Sequence, residues 1–171
     1  MAELALKIPH PAVEIHALRR EELEQLRDHL LRLDTECRFE RFGHGLGKAA
    51  LAQYAARSLD HGDLVIGYFV DGVLRGAGEL HGLGAQRVEE VAEAAFSVEK
   101  GWRGQGVGAL LFERLLDAAQ ALGSREIVLT CHPHNRAMQA LARKYAAQLS
   151  FDEDSVTGRL VARRRPSRAT A

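Results

Sequence analysis

Residues 98–109 join an apolar run to an amphipathic helical pattern through a basic, glycine-rich turn. Three of its glycines stand at alternate positions, where glycine permits positive φ and leaves no Cβ between the backbone amides and an anion. A helix that begins near Val107 adds unpaired N–H donors and the positive end of its dipole. The turn therefore predicts a site that holds a pyrophosphate against main-chain N–H groups. The residues expected at this site are Arg103, Gly104, Gln105, Gly106, Val107, Gly108 and Ala109.

The same glycines also satisfy the relaxed dinucleotide-binding pattern G-x-G-x-x-G/A, through Gly104, Gly106 and Ala109. A dinucleotide site requires further βαβ units and an acidic residue at the end of the next strand. Residues 110–171 leave little room for such units, and Glu126 lies at the beginning of the next predicted strand. A Walker A site is excluded because no Lys-Ser/Thr pair follows the glycines. We therefore expect a phosphate ligand of another class.

The turn and its flanks resemble the Q/R-x-x-G-x-G/A signature of the GCN5-related N-acetyltransferase (GNAT) family. The resemblance covers residues 64–149 well and the N-terminal third loosely. It implies the GNAT acyl-CoA N-acyltransferase fold and an enzyme that moves the acetyl group of acetyl-CoA to a primary amine by direct attack in a ternary complex. In the family this turn binds the pyrophosphate of acetyl-CoA. The matching residues are Arg103, Gly106 and Gly108, preceded by Phe96-Ser97-Val98 and followed by Leu110-Leu111-Phe112-Glu113-Arg114-Leu115.

The resemblance also implies roles for residues outside the turn. The family's strand before the turn presents main-chain groups to the pantetheine arm, so Phe96 and Val98 are assigned to the cofactor. Asn135 matches an asparagine that commonly contacts the cofactor, and asparagine is also a favoured helix N-cap, so both roles can hold. Many members place a tyrosine acid seven residues after that asparagine, but this chain has Ala142 there. Tyr145, three residues further on, is expected to pack in the core.

Acetyl transfer to an amine needs alignment of the reactants and removal of a proton from the ammonium group. Glu93 is an acidic residue in an otherwise apolar strand pattern, where burial of a carboxylate is costly and raises its pKa. Residues 92–98 resemble the Ala-Glu-x-Ala-Phe-x-Val strand of protein-lysine-acetyltransferase-like members, whose glutamate is thought to act as the base. Glu93 is therefore the predicted base. The alternatives are Glu79 on the preceding strand, or Glu93 as a strand-edge carboxylate that only faces water.

A second function class stays open beside the enzyme. A catalytically silent acyl-CoA-binding sensor or regulatory module keeps the fold and the turn but lacks effective proton handling, which the missing tyrosine makes conceivable. The acceptor also stays open among a protein lysine, a polyamine, an amino acid and an aminoglycoside. Residues 39–47 and 81–90, which are expected to face the acceptor, mix glycine, arginine and acids without a readable code.

The segment Cys131-His132-Pro133-His134 places three metal-ligand types close together. Adjacent residues at the end of a strand point to different sides, however, and no second cluster completes a tetrahedron. We therefore predict no metal site. Cys37 is the only other cysteine, and both thiols are expected to be reduced and buried.

The composition predicts one domain. The chain has 171 residues, of which 46% are hydrophobic and 27% charged, with a formal net charge of zero. No global basic field attracts nucleic acid or a membrane, and no apolar run is long enough for a signal peptide or a membrane span. We expect a cytoplasmic protein with one N-acetyltransferase domain over residues 12–162 and a basic disordered tail over 163–171. A homodimer stays possible.

The periodicity of apolar residues predicts the elements that position these groups. Their order, β-α-α-β-β-β-α-β-α-β-β, is that of a mixed α/β sheet layered with helices. A glycine-bearing loop is predicted over 39–45, and an Asp71-Gly72 turn is predicted to close an antiparallel hairpin. The predicted strands are 12–18, 64–70, 73–80, 88–98, 125–131, 149–151 and 158–162, and the predicted helices are 19–33, 48–59, 107–122 and 135–146.

Overall fold

The computed structural model describes residues 11–43, 46–83 and 90–162, and within them seven strands form one mixed sheet in the order β1-β2-β3-β4-β5-β7-β6. The strands are β1 (Val13–Ala17), β2 (Leu64–Val70), β3 (Val73–His81), β4 (Val91–Val98), β5 (Glu126–Cys131), β6 (Gln148–Phe151) and β7 (Val156–Val161). The helices are α1 (Leu23–Arg32), α2 (Thr35–Phe42), α3 (Lys48–Arg57), α4 (Val107–Ala121) and α5 (Arg136–Lys144). The predicted mixed α/β fold is confirmed.

Helices cover both faces of the sheet. Apolar side chains of α4 such as Leu111 and Phe112 share one core cluster with Phe96 of β4, whereas α1 and α3 share a second cluster with β2 and β3. Side chains alternate across a strand, so Glu93 and Ser97 of β4 lie on the face opposite Phe96. The sheet is therefore a middle layer whose β4 carries apolar groups toward α4 and polar groups toward α1 and α2.

The predicted hairpin between β2 and β3 is confirmed. The two strands pair antiparallel from Leu64 opposite Leu80 to Val70 opposite Val73. The turn residues Asp71 and Gly72 have φ of 49° and 75°. Two consecutive positive φ values are what a two-residue type I′ turn requires, because its twist matches that of the paired strands.

The prediction of a loop over 39–45 is wrong at its beginning, because residues 39–42 form the last turn of α2. The Asp34 carboxylate caps this helix by accepting from the backbone N–H of Cys37 at 2.8 Å. Gly43, with φ of 71°, ends it in the left-handed conformation. The chain therefore has one helix more than predicted, and residues 44–45 of the predicted loop lie outside the described residues.

The other elements agree with prediction to within a few residues at their ends. β4 begins at Val91 rather than 88, and residues 84–89 lie outside the described residues, as does the predicted tail over 163–171. In the described ranges no helix is long and apolar enough to cross a membrane.

β4 and β5 separate from each other along the sheet. Their parallel pairing consists of Val91 with Glu126, Ala92 with Ile127, and Glu93 with Val128. Beyond Glu93, the edge of β4 that faces β5 has no strand partner, while the opposite edge stays paired with β3 as far as Val98. The two strands therefore form a splay that opens at Glu93 and leaves the β5-facing edge of residues 94–98 without a strand partner.

Candidate functional site

The glycine turn enters α4 through two residues in the left-handed conformation. Gly104 has φ of 74° and Gly106, the N-cap of α4, has φ of 84°. Gly108 lies inside the first turn of the helix without a positive φ, so only two of the three glycines need that freedom. The first N–H groups of an α-helix have no intrahelical acceptor. A Cβ at any of these three glycines meets no atom within 4 Å, so this end of α4 faces open space.

A groove of about 380 Å³ runs from this turn along the unpaired edge of β4 and against α5. We call it the turn groove. Of the predicted cofactor-binding residues, only Gln105 does not line it; the side chain of Gln105 is turned back and donates to the Gly101 carbonyl at 2.7 Å. The residues that do line it are Phe96, Val98, Arg103, Gly104, Gly106, Val107, Gly108, Ala109 and Asn135.

Arg103 is held at the wall of the turn groove by two contacts. Its Nε donates to the Val98 carbonyl at 2.9 Å, and its Nη2 pairs with Asp34 Oδ2 at 2.7 Å. Burial opposes ionisation of Asp34, but the N–H of Cys37 and the charge of Arg103 still keep the pKa of Asp34 below its usual value. The pair therefore ties the glycine turn to the beginning of α2.

Asn135 caps α5, as predicted. Its Oδ1 accepts from the backbone N–H of Met138 at 2.9 Å. The same residue lines the turn groove beside Phe96. The capping bond therefore fixes the amide at the place where a cofactor contact is predicted.

A second cavity, of about 290 Å³, opens between the separated ends of β4 and β5. We call it the splay cavity. Its charged lining residues come from three separate segments of the chain and are Glu40, Arg41, Glu93 and Asp154. It shares five lining residues with the turn groove, so the two form one continuous cleft along β4. The shared residues are Cys37, Glu40, Phe96, Asn135 and Met138.

Glu93 lines the splay cavity at the last paired position of β4 and β5. The expectation that its carboxylate is buried is wrong, because the residue is exposed. The physical reason is the splay: β5 diverges beyond this position, so Glu93 borders the open space of the splay cavity. The carboxylate therefore faces the cavity and its solvent.

Glu79 is the carboxylate that the fold buries completely. It accepts from the Tyr54 hydroxyl at 2.6 Å and from Arg41 Nη2 at 3.1 Å. Burial and the charge of Glu79 raise the pKa of Tyr54, so its hydroxyl stays protonated. Because Arg41 lines the splay cavity and Glu79 does not, the arginine separates the second predicted base from the cleft.

Sequence reasoning missed the helix α2, although it expected residues 39–47 to face the acceptor. Cys37 and Glu40 line both the turn groove and the splay cavity. Burial raises the pKa of Glu40, and the nearby charge of Glu36 raises it further. Burial also raises the pKa of the Cys37 thiol. The capping signals at Asp34 and Gly43 could have indicated this helix, and with it a wall for the site.

Tyr145 packs in the core, as predicted. Its ring lies edge-to-face on Phe112 with centroids 4.6 Å apart. Its hydroxyl donates to Glu113 Oε1 at 2.7 Å and contacts the Ala109 carbonyl at 3.2 Å. Ala142 is buried as well. No tyrosine hydroxyl of α5 therefore reaches the cleft.

The Cys131-His132-Pro133-His134 segment ends β5 at the rim of the splay cavity. His132 and His134 stack with ring centroids 5.1 Å apart. Cys131 and Cys37 are both buried free thiols. Within the described part of the chain, no group of three or more His, Cys, Asp or Glu side chains is arranged to hold a metal ion.

Known structures share this architecture. The GNAT domain of PAT from S. lividans is 19% identical with a TM-score of 0.76, over 87% of this chain and 90% of that one. The protein yncA from Salmonella typhimurium, solved with its cofactor acetyl-CoA, is 18% identical with a TM-score of 0.66, over 94% and 99%. The paia N-acetyltransferase from Thermoplasma acidophilum, in complex with coenzyme A, is 20% identical with a TM-score of 0.64, over 86% and 98%.

Sequence comparison is more specific than these distant structural likenesses, which show the fold alone. No curated protein sequence matches the chain. The sequence model of the Acetyltransferase (GNAT) family, however, matches residues 27–146, which include the splay, the glycine turn and Asn135. Acetyl-CoA is the cofactor that this match indicates. The chain belongs to the GNAT acetyltransferase family.

Proposed function

We propose that this protein transfers the acetyl group of acetyl-CoA to a primary amine by direct attack in a ternary complex. One observation carries the proposal: the turn groove and the splay cavity meet along the unpaired edge of β4. An anion-binding helix terminus lies at one end of the cleft and carboxylates line the other. Donor and acceptor can therefore occupy the cleft together, with their reacting atoms at the junction.

The residues of the turn groove fit coenzyme A. The N–H groups at the beginning of α4 and the charge of Arg103 suit a diphosphate. The unpaired edge of β4 offers main-chain groups of Phe96 and Val98 to an extended amide-bearing chain, as an added strand would use them. The Val98 carbonyl already accepts from Arg103, so the main chain of Phe96 is more available for such pairing than that of Val98. Bound there, acetyl-CoA supplies an activated thioester.

The splay cavity suits a cationic acceptor. Its carboxylates at Glu40, Glu93 and Asp154 form no ion pair within the described residues, whereas the charge of Arg41 is balanced by Glu79 at 3.1 Å. An ammonium group is attracted to such a cavity and is held next to Glu93. Glu93 then accepts the proton that the ammonium must lose before it attacks. Both a small amine and the lysine of a protein meet these requirements.

Release of the coenzyme A thiol tests the proposal. Purified protein with saturating acetyl-CoA is assayed against spermidine, kanamycin, free amino acids and a lysine-containing peptide, with the free thiol as the readout. We expect amine-dependent release with at least one cationic acceptor, together with an acetylated product detected by mass spectrometry. Thiol release that does not depend on the amine would contradict the proposal.

The position of Tyr145 favours a second candidate, a silent acyl-CoA-binding sensor. Because this hydroxyl is bonded to Glu113 rather than directed into the cleft, α5 offers no hydroxyl donor to a departing thiolate. A sensor binds acetyl-CoA tightly in calorimetry but releases no thiol with any of the amines. The proposed enzyme binds acetyl-CoA and also releases the thiol.

A further inference from the structure

The proposed acetyl transfer, on which this inference rests, requires the acceptor nitrogen to lose its extra protons. An ammonium nitrogen that becomes an amide loses two protons. One leaves before attack, because only the neutral amine has a free electron pair. The other leaves as the N–C bond forms, while the sulfur gains one proton as the C–S bond breaks. A group that contacts both reacting atoms can carry this second proton from nitrogen to sulfur.

Few side chains contact both halves of the cleft. Of the five residues that line both the turn groove and the splay cavity, only Cys37 and Glu40 can gain or lose a proton. Glu93 lines the splay cavity alone, so it faces the acceptor nitrogen but not the donor side. The protonatable groups of the junction both lie on α2.

Glu40 is better suited to this transfer than Cys37. A carrier must accept a proton and then release it, and the Cys37 thiol is kept protonated because burial raises its pKa. Glu40 is only half-buried, and no hydrogen bond or ion pair engages its carboxylate within the described residues. Tyr145 is bonded to Glu113, and Glu79 is enclosed by Arg41 and Tyr54.

We propose that Glu40 is a second catalytic carboxylate, which carries the remaining proton from the acceptor nitrogen to the departing sulfur of coenzyme A. Glu93 takes the first proton from the ammonium and gives it to solvent. As the N–C bond forms, the Glu40 carboxylate accepts the second proton. It then releases this proton to the sulfur as the C–S bond breaks, which regenerates the carboxylate and yields the thiol.

The surroundings of Glu40 support such a role. Burial together with the negative charges of Glu36 and Asp34 favours the protonated form, whereas Arg103 and His132 oppose it. The balance raises the pKa of Glu40 above its usual value. A carboxyl group with a raised pKa holds a proton longer. Its acidity is also closer to that of the nitrogen that gives the proton and the sulfur that receives it.

Single-turnover kinetics with the most active amine of the panel test the role. Glu40→Gln cannot accept a proton, so we expect acetyl transfer to slow by about 10²-fold while acetyl-CoA binding is retained. Glu14→Gln is the control, because it removes the same charge at an exposed residue of β1 that lines neither cavity. It should keep nearly the wild-type rate. Circular dichroism checks the fold of both variants.

A selenium analogue separates proton delivery from other effects of the substitution. Acetyl-selenocoenzyme A releases a selenolate, a weak base that leaves without a proton, and the N-protonated amide that remains is acidic enough to give its second proton to water. With this analogue as the donor, Glu40→Gln should react at nearly the rate of the wild type. With this donor Glu93→Gln should stay slower than the wild type, because the variant cannot take the first proton from the ammonium. A Glu40→Gln defect of equal size with both donors would overturn the proposal.

Binding of coenzyme A gives a readout that does not depend on turnover. A carboxylate near the sulfur disfavours the thiolate, so the pKa of the bound thiol should fall in Glu40→Gln relative to wild type. Thiolate absorbance, corrected for the ligand-free protein, measures it. An unchanged thiol pKa would place Glu40 away from the sulfur. If the wild type releases no thiol with any amine, the proposed function itself fails; an active wild type with an equally active Glu40→Gln refutes only this inference.

Discussion

The two carboxylates predicted as bases have opposite environments. Glu93 was expected to be buried and is exposed in the splay cavity, while Glu79 is wholly buried and bonded to Tyr54 and Arg41. A base needs access to the proton that it removes. Position therefore favours Glu93, although nothing in its burial distinguishes it from an ordinary surface glutamate.

At Glu93 the expected result is a loss of turnover without a loss of binding. Glu93→Gln keeps the size of the side chain but cannot take a proton, so kcat should fall by about 10²-fold or more. Calorimetry should give an unchanged Kd for acetyl-CoA, since Glu93 does not line the turn groove. Glu90→Gln, an exposed residue just before β4, serves as the control. An unchanged kcat in Glu93→Gln would exclude Glu93 as the base.

Glu99 links stability to pH. Its carboxylate accepts from His29, Arg32 and Arg75 at 3.2, 2.8 and 3.0 Å. Burial alone raises the pKa of Glu99, but these three donors outweigh it and lower the pKa to about 2. Its contribution to stability is therefore complete above the unfolded pKa of about 4.5 and is lost as the pH falls from there toward 2.

Urea unfolding at pH 7, 5 and 3 measures this contribution. The wild type should lose on the order of 2 kcal/mol between pH 5 and 3 through this group alone. Glu99→Gln should be less stable at pH 7 and should lose less as the pH falls. Parallel pH dependences for the two proteins would show that Glu99 is not responsible.

At the scale of elements, α2 connects the two halves of the cleft. Its N-cap Asp34 pairs with Arg103 of the glycine turn, and its later residues Cys37 and Glu40 line both cavities. A shift of this helix would therefore move the wall of the splay cavity and the turn together.

Substitutions at Asp34 separate its two contacts. Asp34→Ala removes both the cap of α2 and the partner of Arg103, and should lower the free energy of unfolding by about 1 to 2 kcal/mol. Asn is also a good N-cap, so Asp34→Asn should lose only the ion pair and cost less. Denaturant titration of the three proteins checks the order. Equal losses in the two variants would show that the cap contributes little.

At the scale of the whole molecule, the sheet stays paired along one edge of β4 and loses its pairing along the other. The pairing of β4 with β3 continues to Val98, while the pairing with β5 stops at Glu93. A ligand in the cleft contacts β4, the turn and α5 at once. Its binding is therefore expected to stabilise the fold as a unit.

Coenzyme A should raise the stability of the whole protein by mass action. At a concentration one hundred times its Kd, the gain in free energy of unfolding is about 2.7 kcal/mol. Gly106→Glu should abolish the gain, because φ is 84° there and the new carboxylate would lie at the proposed diphosphate site.

Thermal unfolding with and without coenzyme A measures the effect. Gly101→Glu is the matched control: it adds the same charge five residues earlier, where φ is not positive and the residue lines neither cavity. It should retain most of the stabilisation. Equal stabilisation of Gly106→Glu and wild type would remove the glycine turn from the binding site.

The sequence by itself determined the features that depend on neighbouring residues. The Asp71-Gly72 turn, the beginning of α4 at Val107 and the cap at Asn135 are local, because a few φ angles or one side-chain bond decide each of them. The family signature also lies within one contiguous segment. These parts of the fold and of the site were therefore predictable.

Only the tertiary structure decided which side chains share the cleft. The exposure of Glu93 depends on where β5 leaves β4, and the burial of Glu79 depends on Arg41 and Tyr54, which lie 38 and 25 residues away in sequence. The placement of Glu40 at the junction depends on how α2 packs beside the splay. Such contacts are set by packing between distant segments, which the periodicity of a single segment does not encode.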